Sequence, residues 1–389
     1  MNTTITTEPI NRSYLSDRLN WPSPDGRPQP SRPATEDDIR LVQEAGEQLD
    51  FDNPEVLKRL PIGRSDPAEA ISRLLASKRL NFNGGRVYDL IRGRVAAATA
   101  AGERIRVVMP AFCKINNTAK LIWSLRPTAA EEASLRHLVH VSRALRRWYP
   151  PGVQFVLLTD ASLYAPYLRN VAPTVSSYNQ ALHEMRDRVT ADGEVELIEY
   201  DRLLASVAKD FEAAYADAMR RIDIGDPSFY LQLDRAPMFE SVRNNLSTRG
   251  LGMTYQDLFD CFGPTRNRTN RFYGLLDAQA EESLRWKLAT RAACRAVEPQ
   301  VFAAAFGPNY VRSTIHVSRG ESPALGLRIY PDYKRASDVL PYHGVPLFYR
   351  ERAKVKMLIA PETRFFGDSR LVRVTHHGNE TYLYREETM

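Results

Sequence analysis

Three apolar runs separated by two amphipathic segments constrain this chain more than anything else in it. The runs are Ile105 to Met109, Val153 to Leu158 and Glu194 to Ile198. Between them, Ala129 to Trp148 and Val175 to Arg188 carry apolar residues at helical spacing, with Leu135, Leu138, Val139, Ser142 and Leu145 on one face. Each run has strand length, and breakers punctuate the series: Pro110, Pro150-Pro151-Gly152 and Asp192-Gly193. Strand, helix, strand, helix, strand at this spacing predicts an α/β chain with right-handed crossovers. The expected fold is a Rossmann-like, mostly parallel sheet flanked by helices.

In such a sheet, ligands sit just beyond the C-terminal ends of the strands. Past the first run lies Phe112-Cys113-Lys114-Ile115-Asn116-Asn117, with Lys120 following. Past the second lies Thr159-Asp160-Ala161-Ser162, and past the third Glu199-Tyr200-Asp201. Lys114 with Asn116 and Asn117 offers a cation and amide groups to a small polar substrate, and Lys114, Asp160 and Asp201 are expected along one edge. The other reading of Lys114 and Lys120 is ordinary solvated charge. No GxGxxG follows the first strand and no GxxxxGK[ST] occurs, so neither a dinucleotide fingerprint nor a P-loop is present.

The flanks read differently. Residues 1–34 hold Pro9, Pro22, Pro24, Pro28, Pro30 and Pro33, a tail or strap without regular structure. Residues 35–101 read as a helical N-terminal segment, starting at Thr35 with acids in the first turn. A second helix opens at Asp66-Pro67, with stripe Ala70, Ile71, Leu74 and Leu75. A third follows Gly84-Gly85, with stripe Val87, Leu90, Ile91 and Val95. Residues 102–389 are expected to form one α/β catalytic domain. Within it, residues 200–305 are largely helical and arginine-rich, and most of those arginines read as surface ion-pair partners. Lys287, Arg291 and Arg295 lie four apart and share a helix face.

The last third returns to strands, Tyr310 to Val317, Leu325 to Tyr330 and Val355 to Ala360, expected as antiparallel pairs with one solvated face. Arg312, Thr314 and His316 alternate and so share a face, either as a site wall or as an ordinary exposed face. His343 stands in Leu340-Pro341-Tyr342-His343-Gly344-Val345, where it also reads as a turn residue. His376 and His377 read as edge or tail residues, and the histidines lack short metal-ligand spacing.

Composition excludes several classes. Three cysteines, Cys113, Cys261 and Cys294, without CxxC spacing, argue against a disulfide framework and a cysteine zinc site, and suit a reducing cytoplasm. The N-terminus lacks the apolar core of a signal peptide, and no window reaches the ~18 apolar residues of a membrane span. The charge of +6 carries no basic run and no RNP-like or zinc-finger motif, so it points to anionic small molecules rather than nucleic acid.

Taken in order, these landmarks resemble the isocyanide (isonitrile) synthase family, also called the pyoverdine/dityrosine biosynthesis family. Met109-Pro110-Ala111-Phe112-Cys113-Lys114-Ile115-Asn116-Asn117 with Lys120 matches a Pro-Ala-Phe segment leading to lysine, asparagine and lysine. Glu131 or Glu132, Tyr149-Pro150-Pro151-Gly152, Thr159-Asp160 and Tyr178 to Leu182 follow in family order. Arg312-Ser313-Thr314-Ile315-His316 parallels an Arg-Leu-Ser-Ile-His segment, and Leu340 to Val345 parallels Thr-Pro-Trp-His-Gly-Val. Ala161 replaces a family glycine, Thr128 an aspartate, Thr314 a serine and Tyr342 a tryptophan. An aspartate usual a few residues after Asp160 is missing, with Ala165-Pro166 in that region.

The resemblance implies an enzyme of natural-product biosynthesis that turns the amine of an α-amino acid into an isonitrile. Ribulose 5-phosphate is the implied carbon donor, with no metal and no cofactor. An iron/2-oxoglutarate oxygenase acting on the product is the implied partner. The dityrosine branch implies an N-formyl product instead, and the departures leave room for a non-catalytic paralogue that binds small molecules. By resemblance, His316, His343 and Lys114 are the catalytic candidates. Arg312, Asp160, Lys120, Asn116, Asn117, Thr314 and Tyr342 are the substrate-binding candidates.

Overall fold

A computed structural model describes residues 34–41, 66–77, 80–81, 87–112, 127–164, 172–231, 238–239, 242–243, 271–315, 325–329, 344–351, 354–360, 371–376 and 379–384. Lys114, Asn116, Asn117, Lys120, His316, Tyr342 and His343 lie outside the described residues, as do the 1–33 stretch and His377.

Two helices precede the sheet, α1 (Pro67–Ala76) and α2 (Tyr88–Ala100). Asp66 caps α1 by accepting from the Ala68 and Glu69 N–H groups, with Pro67 at the first position, where it has no intrahelical bond to lose. Upstream, Thr35 and Asp38 bond reciprocally at the start of a helical turn. Val87, Ile91 and Val95 are buried as their spacing predicts; Leu90 is not, at 52% exposed. Its place at the edge of the stripe turns it outward.

The sheet strands are β1 (Ile105–Pro110), β2 (Val153–Thr159), β3 (Val195–Glu199), β4 (Val311–Thr314) and β5 (Leu325–Gly326), in the order β3-β2-β1-β4-β5. Every pairing is parallel. Helices α3 (Ala129–Leu145) and α4 (Ala172–Val189) make the first two crossovers. Thr128 and Glu131 form a capping box at the start of α3. β1 runs one residue further than its apolar pattern suggests. The ladder to β2 is carried on by the Ala111 N–H to the Leu158 carbonyl, so the donor missing at Pro110 falls on the opposite edge.

From β3 the chain passes through α5 (Ala208–Asp223) into α6 (Arg271–Phe306), 36 residues long, which leads back into β4 beside β1. The expectation of antiparallel pairing for Tyr310 to Val317 and Leu325 to Tyr330 is therefore wrong. A helical crossover returns the chain in the same direction, and the polar residues that looked like a solvated face meet α6 instead. Antiparallel pairing does hold in a second sheet, β7-β6-β9-β8, built from β6 (Val345–Glu351), β7 (Lys354–Ala360), β8 (Leu371–His376) and β9 (Asn379–Tyr384). There β6 and β9 pair in parallel.

Pleating sorts the strand residues. Ile105, Val107, Met109, Phe155, Leu157, Val195, Leu197, Val311 and Ile315 share one core with buried residues of α1, α2, α3 and α4. Val108, Val156 and Leu158 face the other way, into a core with Cys294, Val297, Val301 and Phe302 of α6 and with Tyr200.

Candidate active site

In an open parallel sheet the binding crevice opens where the strand order reverses. Here that point lies between β1 and β4: β1 continues by way of α3 to β2 on one side, and β4 continues to β5 on the other. Phe112, two residues beyond β1, has φ 61°, the only positive φ outside glycine among the described residues. A left-handed conformation costs an L-residue about 1–3 kcal/mol, and such strain gathers at functional sites. In sequence, Lys114 follows Phe112 by two residues, and His316 follows the end of β4 by two.

On the α6 face of this edge the described residues assemble a polar cluster. Arg312 of β4 donates from Nε to Glu298 Oε1 and from Nη2 to Glu298 Oε2, the latter at 3.1 Å. Its Nη1 also reaches the Ser313 carbonyl at 3.4 Å. This fork-to-fork pair fixes β4 against α6. Burial alone would lower the Arg312 pKa; the hydrogen bonds and charge of Glu298 outweigh it and raise it. Arg312 and Thr314 are half-buried rather than exposed, which decides against the exposed-face reading.

Tyr200, directly after β3, packs on Phe302 with ring centroids 5.9 Å apart and is 4% exposed. Its hydroxyl has no hydrogen-bond partner. Burial, with the nearby Cys294 and Glu298, pushes its pKa up, so it stays a neutral O–H donor. Burial, with Asp160 and Glu298, pushes the Cys294 thiol up to about 12, which excludes it as a ready nucleophile. Asp160 thus lies within electrostatic reach of Cys294 and Tyr200, at the end of β2 where the strand pattern places it. Asp201, expected on the same edge, instead accepts from the neighbouring Arg202 N–H. Tyr200 takes its place in the cluster. Two further buried hydroxyls without a partner, Thr159 Oγ1 and Ser162 Oγ, flank Asp160 in the sequence.

Of the residues singled out by sequence, the described structure brings Asp160, Arg312 and Thr314 to this edge. Tyr200, Cys294 and Glu298 were missed. Among the described residues, no group of three or more His, Cys, Asp or Glu is arranged to hold a metal ion, and no helix is long and apolar enough to cross a membrane.

A profile of the pyoverdine/dityrosine biosynthesis protein family matches residues 95–363, more than half of the chain. The chain belongs to that family. The matched span takes in the whole cluster and the positions of Lys114, His316 and His343. Among its family relatives, the L-tyrosine isonitrile synthase of Pseudomonas aeruginosa is 26% identical over 277 residues, covering 69% of this chain and 76% of that protein. Isocyanide synthase xanB of Aspergillus fumigatus is 25% identical over 303 residues, covering 72% of this chain but 38% of its own length. Spore wall maturation protein DIT1 of Saccharomyces cerevisiae is 32% identical over 124 residues, covering 32% of this chain and 22% of its own length. The chain thus spans well under two thirds of two of these relatives. PvcA of Pseudomonas aeruginosa superposes with a TM-score of 0.57 at 19% identity, covering 90% of this chain and 99% of that one, a likeness of fold. Relatives named as isonitrile synthases place the chain in an isonitrile synthase family, which supports its being an enzyme.

Proposed function

We propose that this protein is an isonitrile synthase that converts the amine of an α-amino acid, with ribulose 5-phosphate supplying the carbon. The observation that carries the reading is the family match across residues 95–363, joined to a polar cluster at the sheet's switch point.

Condensing an amine with a ketone requires an acid to expel water, and fragmentation then requires bases to take protons. Imidazole suits both near neutral pH, so His316 and His343 are assigned to proton transfer, each contributing about 10²–10⁴-fold. An α-amino acid presents one cation and one anion. Asp160 meets the ammonium or the sugar hydroxyls, and Lys114 and Arg312 meet the carboxylate or the phosphate. Asn116, Asn117, Lys120, Thr314 and Tyr342 orient the remaining polar groups.

The test is incubation of the full chain with each of the twenty amino acids and ribulose 5-phosphate, with mass detection of products. An isonitrile from at least one amino acid, lost in both His316→Ala and His343→Ala, is the expected result. A formylated amine would favour an N-formyl product instead. No product from any amino acid would leave a binding protein.

A further inference from the structure

The hydrogen bonds of Arg312 leave part of it unused. A guanidinium carries five N–H groups in one plane. In Arg312 the Nε group and one Nη2 group donate to Glu298, and one Nη1 group reaches the Ser313 carbonyl at 3.4 Å. One N–H therefore remains on each terminal nitrogen. The Arg312 side chain is 37% exposed and that of Glu298 11%, so the arginine reaches solvent while the carboxylate that holds it is largely covered. A fork filled along one edge, with a donor left on each terminal nitrogen, is oriented for a second planar anion.

The long helix keeps that orientation fixed. Glu298 and Phe302 lie four apart on α6 and share a face. Phe302 packs on Tyr200 with ring centroids 5.9 Å apart and on Tyr310 at 5.6 Å, and Tyr310 leads into β4. Rings from three elements thus lock α6 to the ends of β3 and β4 one turn from Glu298. A carboxylate anchored in this way sets the direction of the guanidinium it binds. On the same Phe302 contact, the buried Tyr200 hydroxyl finds no partner among the described residues. A buried donor without an acceptor is costly unless a ligand supplies one.

Charge selects the anion. Glu298 already cancels the charge of Arg312, so a second anion meets a neutral pair. A phosphate dianion would bring two negative charges beside Glu298, and a carboxylate brings one. The carboxylate is also planar and accepts from both terminal nitrogens at once.

We propose that Arg312 seats the α-carboxylate of the amino acid on its two remaining N–H groups, and that Glu298 is the positioning residue that aligns it. This rests on the synthase reading only for an amino acid being the substrate. The phosphate of the donor is left to other cations.

The full chain is titrated calorimetrically with each of the twenty amino acids, with the α-carboxamide of each, with ribulose 5-phosphate and with inorganic phosphate. The proteins are wild type, Arg312→Gln, Arg312→Lys, Glu298→Gln, the double variant Arg312→Gln with Glu298→Gln, and Arg295→Gln. Each carboxamide keeps the side chain and amine of its amino acid and lacks the negative charge. Wild type is expected to bind at least one amino acid about 10-fold or more tightly than its carboxamide, the worth of a hydrogen bond to a charged group. Arg312→Gln should lose that preference, and Arg312→Lys should recover part of it. The double variant leaves neither charge of the pair without the other, so it tests the same loss where the single variant fails to fold. Glu298→Gln keeps the charge and loses the alignment. Its preference should shrink, while ribulose 5-phosphate and inorganic phosphate bind at least as well as in wild type. Arg295→Gln, which removes an exposed charge one turn before Glu298, should keep the preference. In turnover, Arg312→Gln should raise the amino-acid KM and leave the donor KM alone.

A wild type that binds no amino acid more tightly than its carboxamide overturns the seat. So does a preference kept in both Arg312→Gln and the double variant, or an equal loss in Arg295→Gln. An unchanged preference in Glu298→Gln overturns the positioning role, since a merely structural pair would move stability and not this ratio. The two readings fail separately. Preference lost in Arg312→Gln without isonitrile from any amino acid sinks the synthase and keeps the seat. Isonitrile formed with the amino-acid KM untouched in Arg312→Gln sinks the seat and keeps the synthase.

Discussion

On the side of the sheet covered by α3 and α4, apolar side chains run from Ile105 and Val153 up to Met109 and Leu157. Several polar groups buried there bond to helix starts and to nearby backbone. Thr128 and Glu131 cap α3, Tyr178 donates to Glu131 at 3.3 Å, Ser134 donates to the Ala130 carbonyl and Ser142 to that of Val153. On the side covered by α6 the apolar run stops short of the edge. Beyond Val108 and Leu158 come Asp160, Tyr200, Cys294, Glu298 and Arg312, within electrostatic reach of one another. Both faces bury polar atoms; those on one bond largely to nearby groups, Asn179 Oδ1 excepted, and those on the other gather at the strand ends. A local partner reads as scaffolding, whereas polar groups collected at a switch point read as a site.

The sharpest way to break this contrast is a cut in the apolar face. Phe155 is wholly buried beneath α3 and α4, and Phe155→Ala should cost about 3–5 kcal/mol. Urea denaturation would register it as a lower midpoint, and the donor KM of the protein that remains folded should stay at its wild-type value. Next in size is Glu298→Gln on the polar face. It leaves the Arg312 charge without its counter-charge, in a pair whose side chains are 37% and 11% exposed. A fully buried pair broken this way costs about 3–5 kcal/mol, and partial exposure brings the expectation to roughly 1–3 kcal/mol. Unlike the first variant, it should also lower turnover well beyond the loss of folded protein, because β4 carries the chain into His316.

Acid offers a third comparison. His137 of α3 is buried, and desolvation first, then the charge of His140, holds its pKa down from 6.5 to about 3. The unfolded chain binds a proton that the folded chain refuses, so stability falls as pH drops below 6.5, by roughly 1–2 kcal/mol near pH 5. Glu194 adds to this lower down. Burial opposes its ionisation, but hydrogen bonds from Thr190, Arg143 and the Asp192 N–H hold its pKa at about 2, so its share is lost as pH falls from 4.5. Urea midpoints at pH 7 and pH 5 should diverge in wild type and converge in His137→Gln. An equal pH dependence in that variant would place the sensitivity at another group, such as His183, whose pKa burial also lowers.

How much of this was legible follows from the same contrast. The apolar face announces itself through period: β1, β2, β3, α3 and α4 fall within a few residues of where Ile105, Val153, Glu194, Ala129 and Val175 predict them. Asp160 and the alternation of Arg312 with Thr314 were legible because a strand end and a pleat are local facts. The pairing of β4 was not, since direction is set by the path of α6 and not by the residues of β4. Glu298 looks like any surface charge on a helix, because its partner lies fourteen residues on, past a change of element. Tyr200 was hidden behind the more conspicuous Asp201. Whether a hydroxyl is left unpaired depends on packing that no spacing reports.

The smallest stability effect is the most telling. Tyr200→Phe removes one oxygen and keeps the ring that packs on Phe302. If the hydroxyl has no partner in the protein, nothing is lost on the protein's own account. Relieving an unsatisfied buried group should leave the urea midpoint unchanged or raise it by up to about 1 kcal/mol. Turnover should fall all the same, with the loss in donor KM if the hydroxyl meets the sugar and in kcat if it acts only as the reaction proceeds. A structural hydroxyl gives the opposite pattern, a lower midpoint with unchanged kinetics. Such a result would erase the difference between the two faces at a residue whose ring packs on α6 and whose hydroxyl is buried without a partner.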